Sequence, residues 1–237
     1  MLRNDFNAIQ WLPTSAGKIQ LPKFIEMGIP HGFHGINSIV KGVITPRQVH
    51  GVDIVKVSAV TSLPGDADGI YCVNENISIA VKTADCLPIL IGVPGKIVLA
   101  IHAGWRGLTA GIVQNAAEKI LALGFNTKDA LIGIGPTIGS RAFEVGPEVV
   151  DAVATPQLGL AENEIASCIA KGINDRWHID LQLVALLILV KCGAKPSNIS
   201  VVRTCTYHDT NWNSFRRMGK SMGSNIAWIG IARSGVK

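Results

Sequence analysis

Three residues able to hold a metal or attack a carbon sit at the boundaries of apolar strands in this chain: His50, Cys86 and His102. The run from Ile97 to Ile101 stops at the segment HAGWRG, residues 102–107. This reads as a buried strand delivering His102, Trp105 and Arg106 into a glycine-flexed turn. Cys86 lies in TADCLP, residues 83–88, between two further apolar runs, and His50 lies in RQVHG, residues 47–51. A thiol and two imidazoles at the ends of neighbouring strands can converge on one point. Together they offer one thiolate and two imidazole nitrogens, a set that suits zinc and leaves a fourth position open for water. Soft sulfur disfavours magnesium and calcium, while copper stays admissible. The same residues also fit a thiol nucleophile, Cys86, with His102 or His50 as its base. The short clip of structural zinc sites is missing, so spacing alone does not choose between these chemistries.

The elements around them follow from periodicity. Ile77 to Val81 and Leu87 to Ile91 read as strands, with Pro88 implying an edge or irregular position. The alternation in QVHGVDIVKV suggests another strand. Residues Leu108 to Leu123 carry helical spacing closed by Gly124, and Leu181 to Lys191 form an apolar helix with Asp180 as N-cap. Pro147 to Ala154 is a short helix, and 155–170 is an ill-patterned connection. Ala130 to Gly135, Ile199 to Thr206 and Asn225 to Ala232 complete the strands. The loop Gly135 to Gly139 has backbone N–H groups that could cradle an anion, although it is no Walker A loop. The segment LPGDADG, residues 63–69, lacks the EF-hand spacing and reads as a solvated turn. His31 and His34, flanked by glycines, read as turn residues with a structural role. Arg216, Arg217 and Lys220 form a basic group fit for a small anion.

Composition narrows the function classes. The 237 residues are 48% hydrophobic and 16% charged, with mean hydropathy +0.32, so a large core is expected. A net charge of +5 without a dense basic run speaks against nucleic acid as a partner. The longest apolar run, Leu183 to Val190, is too short for a bilayer, and the first residues lack the apolar stretch of a secretion signal. Five irregularly spaced cysteines fit a reduced, cytoplasmic setting rather than a disulfide framework. With no composition break, residues 1–237 read as one catalytic domain.

The pairing of TADCLP with HAGWRG resembles the bacterial laccase-domain, or multicopper polyphenol oxidase, family. RQVHG, IGPTIG with AFEVG (134–146), and CTYHD with SFRR (205–217) extend the resemblance over most of residues 31–232. Members are described as purine nucleoside phosphorylases with adenosine deaminase activity, and one branch as a peptidoglycan editing factor. The resemblance implies catalytic zinc on His50, Cys86 and His102. It implies an α+β fold, a layered α/β/β/α sandwich with mixed sheets similar to some cysteine hydrolases. One departure is that HGFHGINSIVKG, residues 31–42, is short and lacks the arginines of the family's loop. If the substrates are a purine nucleoside and phosphate, Arg106, Arg47 and Arg217 are candidates for the anion, and Asp85 for proton transfer. Amide hydrolysis at the same site is the alternative. A copper oxidase is disfavoured, because six histidines without an H-x-H motif do not build the several copper centres of a laccase.

Overall fold

Alternation along the central strands sorts their side chains between two cores, and that sorting sets the architecture. In Leu87–Val93, Ile89 and Ile91 face one core and Leu90 the other; in Ile97–Ala103, Leu99 and Ile101 separate in the same way from Val98 and Ala100. Both strands are buried on both faces, which is why they read as unbroken apolar runs. The computed structural model describes residues 6–12, 17–36, 38–219 and 223–231.

The larger sheet is mixed and has seven strands. Their spatial order is Gln10–Leu12, Ile199–Val202, Leu131–Ile134, Leu87–Val93, Ile97–Ala103, Gly69–Cys72 and Ile54–Lys56. Its centre is antiparallel, with Leu87 opposite Ala103 and Pro88 opposite His102. Its two ends are parallel pairs. A second mixed sheet orders Lys18–Ile19, His31–His34, Asn225–Gly230, Ser78–Thr83 and Val43–Ile44. Its inward residues Ile79, Val81, Phe33, Ala227 and Ile229 pack against Leu90, Val98 and Ala100 of the first sheet. Helices Ile112–Ala122 and Leu181–Lys191 cover the opposite face of the larger sheet. This is the expected α+β layering with mixed sheets. A small antiparallel sheet of Glu144–Val145, Trp177–Ile179 and Ile169–Lys171 stands beside it.

Several local expectations are corrected. The central strand runs on to Ala103, and HAGWRG leads straight into a short helix, Trp105–Thr109, instead of a turn. The helical stretch is then broken at Gly111 (φ 101°), and the second helix, Ile112–Ala122, closes ahead of Gly124 (φ 82°). In QVHGVDIVKV only Ile54–Lys56 is a strand, because His50 adopts φ 61° and interrupts the extended backbone. His31–His34 is a strand; buried His31 accepts from the Leu21 N–H and contacts the Ile29 carbonyl through Nδ1, so its role is structural as expected. The connection at 155–170 holds a helix, Glu162–Cys168.

Pro88 lies inside the sheet, and the fold accommodates its missing donor. Its carbonyl accepts from Gly135 N–H at 2.9 Å. The carbonyl of Gly135 accepts instead from Nε2 of buried Gln182, also at 2.9 Å. Asp180 caps the Leu181–Lys191 helix through the Leu183 N–H, as expected.

Candidate metal centre and its pocket

The antiparallel register brings the three candidate ligands together. Cys86 precedes a strand whose first residue lies opposite Ala103, so it enters beside Gly104, just past His102. His50 arrives from the 46–53 loop, and the ligand atoms of His50, Cys86 and His102 all lie within 4.8 Å of one another. Cys86 Sγ stands 3.9 Å from His50 Nε2, and the two imidazoles meet edge to face at 4.9 Å between centroids. Gly104 makes the convergence possible: a Cβ there would sit 2.9 Å from His50 Cδ2 and 3.2 Å from Cys86 Sγ.

The residue that organises this trio is Asp68, inside the segment read from sequence as a solvated turn. Asp66 fits that reading, exposed and paired with Arg47. Asp68 is fully buried. Its carboxylate accepts three successive backbone N–H groups, Val49 at 3.1 Å, His50 at 2.9 Å and Gly51 at 2.6 Å, which fold the loop and hold His50 at positive φ. The same carboxylate lies 2.7 Å from His102 Nδ1. With Nδ1 so engaged, Nε2 is the nitrogen left for a ligand. Nothing in the sequence separates it from Asp66; the fold alone turns it inward, beside the strand Gly69–Cys72, which is buried at every residue.

In the metal-free site, electrostatics favour a thiolate on Cys86 and an imidazolium on His102, so a metal binding there would displace the His102 proton. Burial pushes the Cys86 thiol up, but hydrogen bonds from His102 and His50 outweigh it and bring the group down to about 7. Burial lowers His102, but Asp68 and Cys86 outweigh this and raise it to about 9. The cysteines in apolar surroundings behave oppositely: burial drives Cys168 up to about 12 and raises Cys72 and Cys192. All five thiols are free.

This donor set fits a divalent metal. A tetrahedral site asks for ligand atoms roughly 3.3–3.8 Å apart, so the trio needs only a small contraction. The trio opens into a cavity of about 440 Å³. Trp105, Phe143, Phe215, Ile138 and Leu181 give it apolar walls, and Lys82, Arg106 and Arg216 bring positive charge. The Arg106 guanidinium stacks 4.3 Å from the Trp105 ring centroid. Arg216 donates to the carbonyls of Ala142 and Glu144, which orient it without cancelling its charge.

The other expected residues fall elsewhere. Arg47 does not line this cavity and is paired with Asp66. Arg217 also lies outside the lining and clamps the carbonyls of Thr206, Tyr207 and Trp212. Asp85 borders the cavity, but its carboxylate accepts from Thr206 Oγ1, Ser214 Oγ and the Arg216 N–H. The Gly135–Gly139 loop is no anion cradle: its N–H groups donate to Pro88, Thr204, Asp85 and the Cys205 sulfur. Lys220 lies outside the described residues.

Comparison with known proteins now places the chain. The family model described as multi-copper polyphenol oxidoreductase laccase matches residues 34–232. The chain belongs to that family. Its relatives include the purine nucleoside phosphorylase YfiH of Escherichia coli, 34% identical over 184 residues, covering 77% of this chain and 71% of that protein. They also include the adenosine deaminase RL5 from an unknown prokaryotic organism, 30% identical over 199 residues, covering 79% of this chain and 74% of that protein. The crystal structure of the hypothetical protein YfiH of Bacillus licheniformis shares the fold. Its TM-score is 0.81 at 21% identity, covering 91% of this chain and 96% of that one. Among the described residues, no helix is long and apolar enough to cross a membrane.

Proposed function

We propose that this chain is a zinc-dependent purine nucleoside phosphorylase, one catalytic domain working in the cytoplasm. It converts adenosine or inosine and phosphate into the free base and ribose 1-phosphate. The observation that carries this reading is one cavity joining three side chains that could hold a metal, apolar aromatic walls and two guanidinium groups that form no ion pair with a carboxylate among the described residues. The names of its relatives point the same way.

In phosphorolysis a phosphate oxygen bonds to C1′ of the ribose. The glycosidic C–N bond breaks, and the base leaves with the electron pair and takes a proton. Arg106 and Arg216 suit the phosphate, since guanidinium groups bind its oxygens in pairs and hold them in line. Phe143 and Phe215 suit the planar base, and the cavity walls keep water from competing for C1′. His50, Cys86 and His102 would hold the zinc, with Asp68 fixing both histidines. Zinc bound there supplies Lewis acidity at one end of the cavity.

The name of RL5 supports a second reading, deamination of adenosine at the same site. Omitting phosphate separates the two. Phosphorolysis predicts that nucleoside loss stops and resumes when phosphate returns, with base and sugar phosphate in equal amounts. Inosine and ammonia forming at the same rate without phosphate would replace this reading with the deaminase. An amide hydrolase would leave the nucleoside untouched under both conditions.

A further inference from the structure

Asp85, expected from the sequence to transfer a proton, has its carboxylate taken up by hydrogen bonds instead. Its backbone is left-handed, φ 85°, directly before Cys86. The carboxylate is buried, and both of its oxygens are engaged: Oδ1 accepts from Thr206 Oγ1 at 2.6 Å, and Oδ2 accepts from Ser214 Oγ at 3.0 Å and Arg216 N–H at 2.7 Å. Its carbonyl accepts from the Ile138 N–H at 3.1 Å and from Thr137 Oγ1 at 2.5 Å. One residue thus ties the start of the Cys86 strand to the 137–138 loop, to Thr206 and to the 214–216 segment. That last segment carries two parts of the cavity wall, Phe215 and Arg216.

Arg216 is held at both ends. Asp85 fixes its backbone, and the Ala142 and Glu144 carbonyls, at 3.1 Å each, fix its guanidinium. Those two bonds leave further guanidinium donors for an anion. Ser214 accepts the Arg217 N–H as it donates to Asp85, so the turn that presents Phe215 and Arg216 is built on the carboxylate.

We infer that Asp85 is a positioning residue: it sets Arg216 as a phosphate ligand at a fixed distance from the His50–Cys86–His102 centre. This rests on the phosphorolysis reading above. A carboxylate that serves as anchor accepts three donors and has no need to exchange a proton. An amide of the same shape can keep the arrangement, its oxygen accepting from Ser214 and Arg216 and its NH₂ turning to the Thr206 hydroxyl. Asn also tolerates positive φ. Gly keeps the left-handed backbone without strain and removes only the anchor.

The test compares Asp85→Asn, Asp85→Gly and Ser214→Ala in metal-loaded enzyme. It measures bound metal, inorganic phosphate binding by calorimetry, and kcat and KM for phosphate across pH. Asp85→Gly should raise the phosphate Kd and KM by about tenfold or more, the loss of one tether's worth of ordering. Metal content and kcat at saturating phosphate should stay within about threefold. Ser214→Ala should shift phosphate in the same direction by about threefold, and it decides the matter alone if Asp85→Gly does not fold. Asp85→Asn should restore phosphate binding and keep the wild-type pH profile. A deep kcat loss in Asp85→Asn, with a limb of the pH profile gone and phosphate binding intact, would overturn the inference in favour of proton transfer. Unchanged phosphate binding in both Asp85→Gly and Ser214→Ala would also overturn it. Wild-type enzyme that neither binds nor needs phosphate would instead remove the phosphorolysis reading itself, and this inference with it.

Discussion

At the scale of residues, Asp68 decides whether His50 and His102 can act together. Its carboxylate satisfies three backbone donors of the His50 loop and orients the His102 ring, so its loss touches both histidines at once. Asp68→Asn puts an NH₂ group against donors and should weaken metal affinity by about 10–100-fold, measured by competition with a chelator. Unchanged affinity would mean that the histidines are held by something else. The Cys86 thiol, brought to about 7 by His102 and His50 against the effect of burial, gives a second expectation. In metal-free protein, alkylation of Cys86 by iodoacetamide should reach half its limiting rate near pH 7, below the roughly 8.5 of a free thiol. Bound metal should protect it, and a midpoint at or above the free-thiol value would contradict the electrostatic account. His50, Cys86 and His102 stood out in the sequence because each sits at an apolar-strand boundary beside Gly, Asp or Pro, but spacing alone did not choose their chemistry, and the metal assignment came from the family resemblance. Asp68 did not stand out, since two carboxylates two residues apart look identical until the fold sends Asp66 to solvent and Asp68 inward.

At the scale of elements, the passage from the Ile97–Ala103 strand to the Trp105–Thr109 helix depends on two close approaches. A Cβ on Gly104 would crowd His50 and Cys86, and one on Gly107 would lie 2.7 Å from the Gly51 carbonyl oxygen. Gly107→Ala therefore pushes the helix off the His50 loop and should cost about 1–3 kcal/mol, read from the denaturant midpoint of the metal-free protein. Gly104→Ala should leave that midpoint closer to wild type and lower bound metal, because its clash falls on movable ligand side chains. Equal metal content in Gly104→Ala and wild type would show that the trio does not close over this position. The strands, the capped Leu181–Lys191 helix and the break after Ala122 follow from periodicity and capping residues. The positive φ values of His50 and Asp85 do not, because non-local hydrogen bonds impose them on residues with no local need for that backbone. That is why QVHGVDIVKV yields only a three-residue strand.

At the scale of the whole molecule, two buried carboxylates tie distant parts of the chain together and make its stability depend on acid. Burial raises both groups, but His102 and the Gly51 and Val49 amides hold Asp68 below its ordinary value, and the Ala161 amide and Lys191 do the same for Glu164. Folded values below unfolded ones mean stabilisation that is present above the unfolded pKa and lost as pH falls through the folded one. The thermal midpoint of metal-free protein should hold steady between about pH 5 and 6 and drop steeply below about pH 4. Glu164→Gln should flatten part of that drop, and an unchanged acid profile in this variant would remove Glu164 from the explanation. Beyond stability, the layers bring residues 50, 86, 102, 106 and 216 around one cavity, and the central claim is what that cavity does with a nucleoside. The most direct measurement supplies adenosine with phosphate whose oxygens are all the heavy isotope, and weighs the sugar phosphate released by zinc-loaded enzyme. The account predicts ribose 1-phosphate that keeps every labelled oxygen, including the one now bonded to C1′, formed in step with adenine. Inosine and ammonia in its place, with the labelled phosphate untouched, would contradict it.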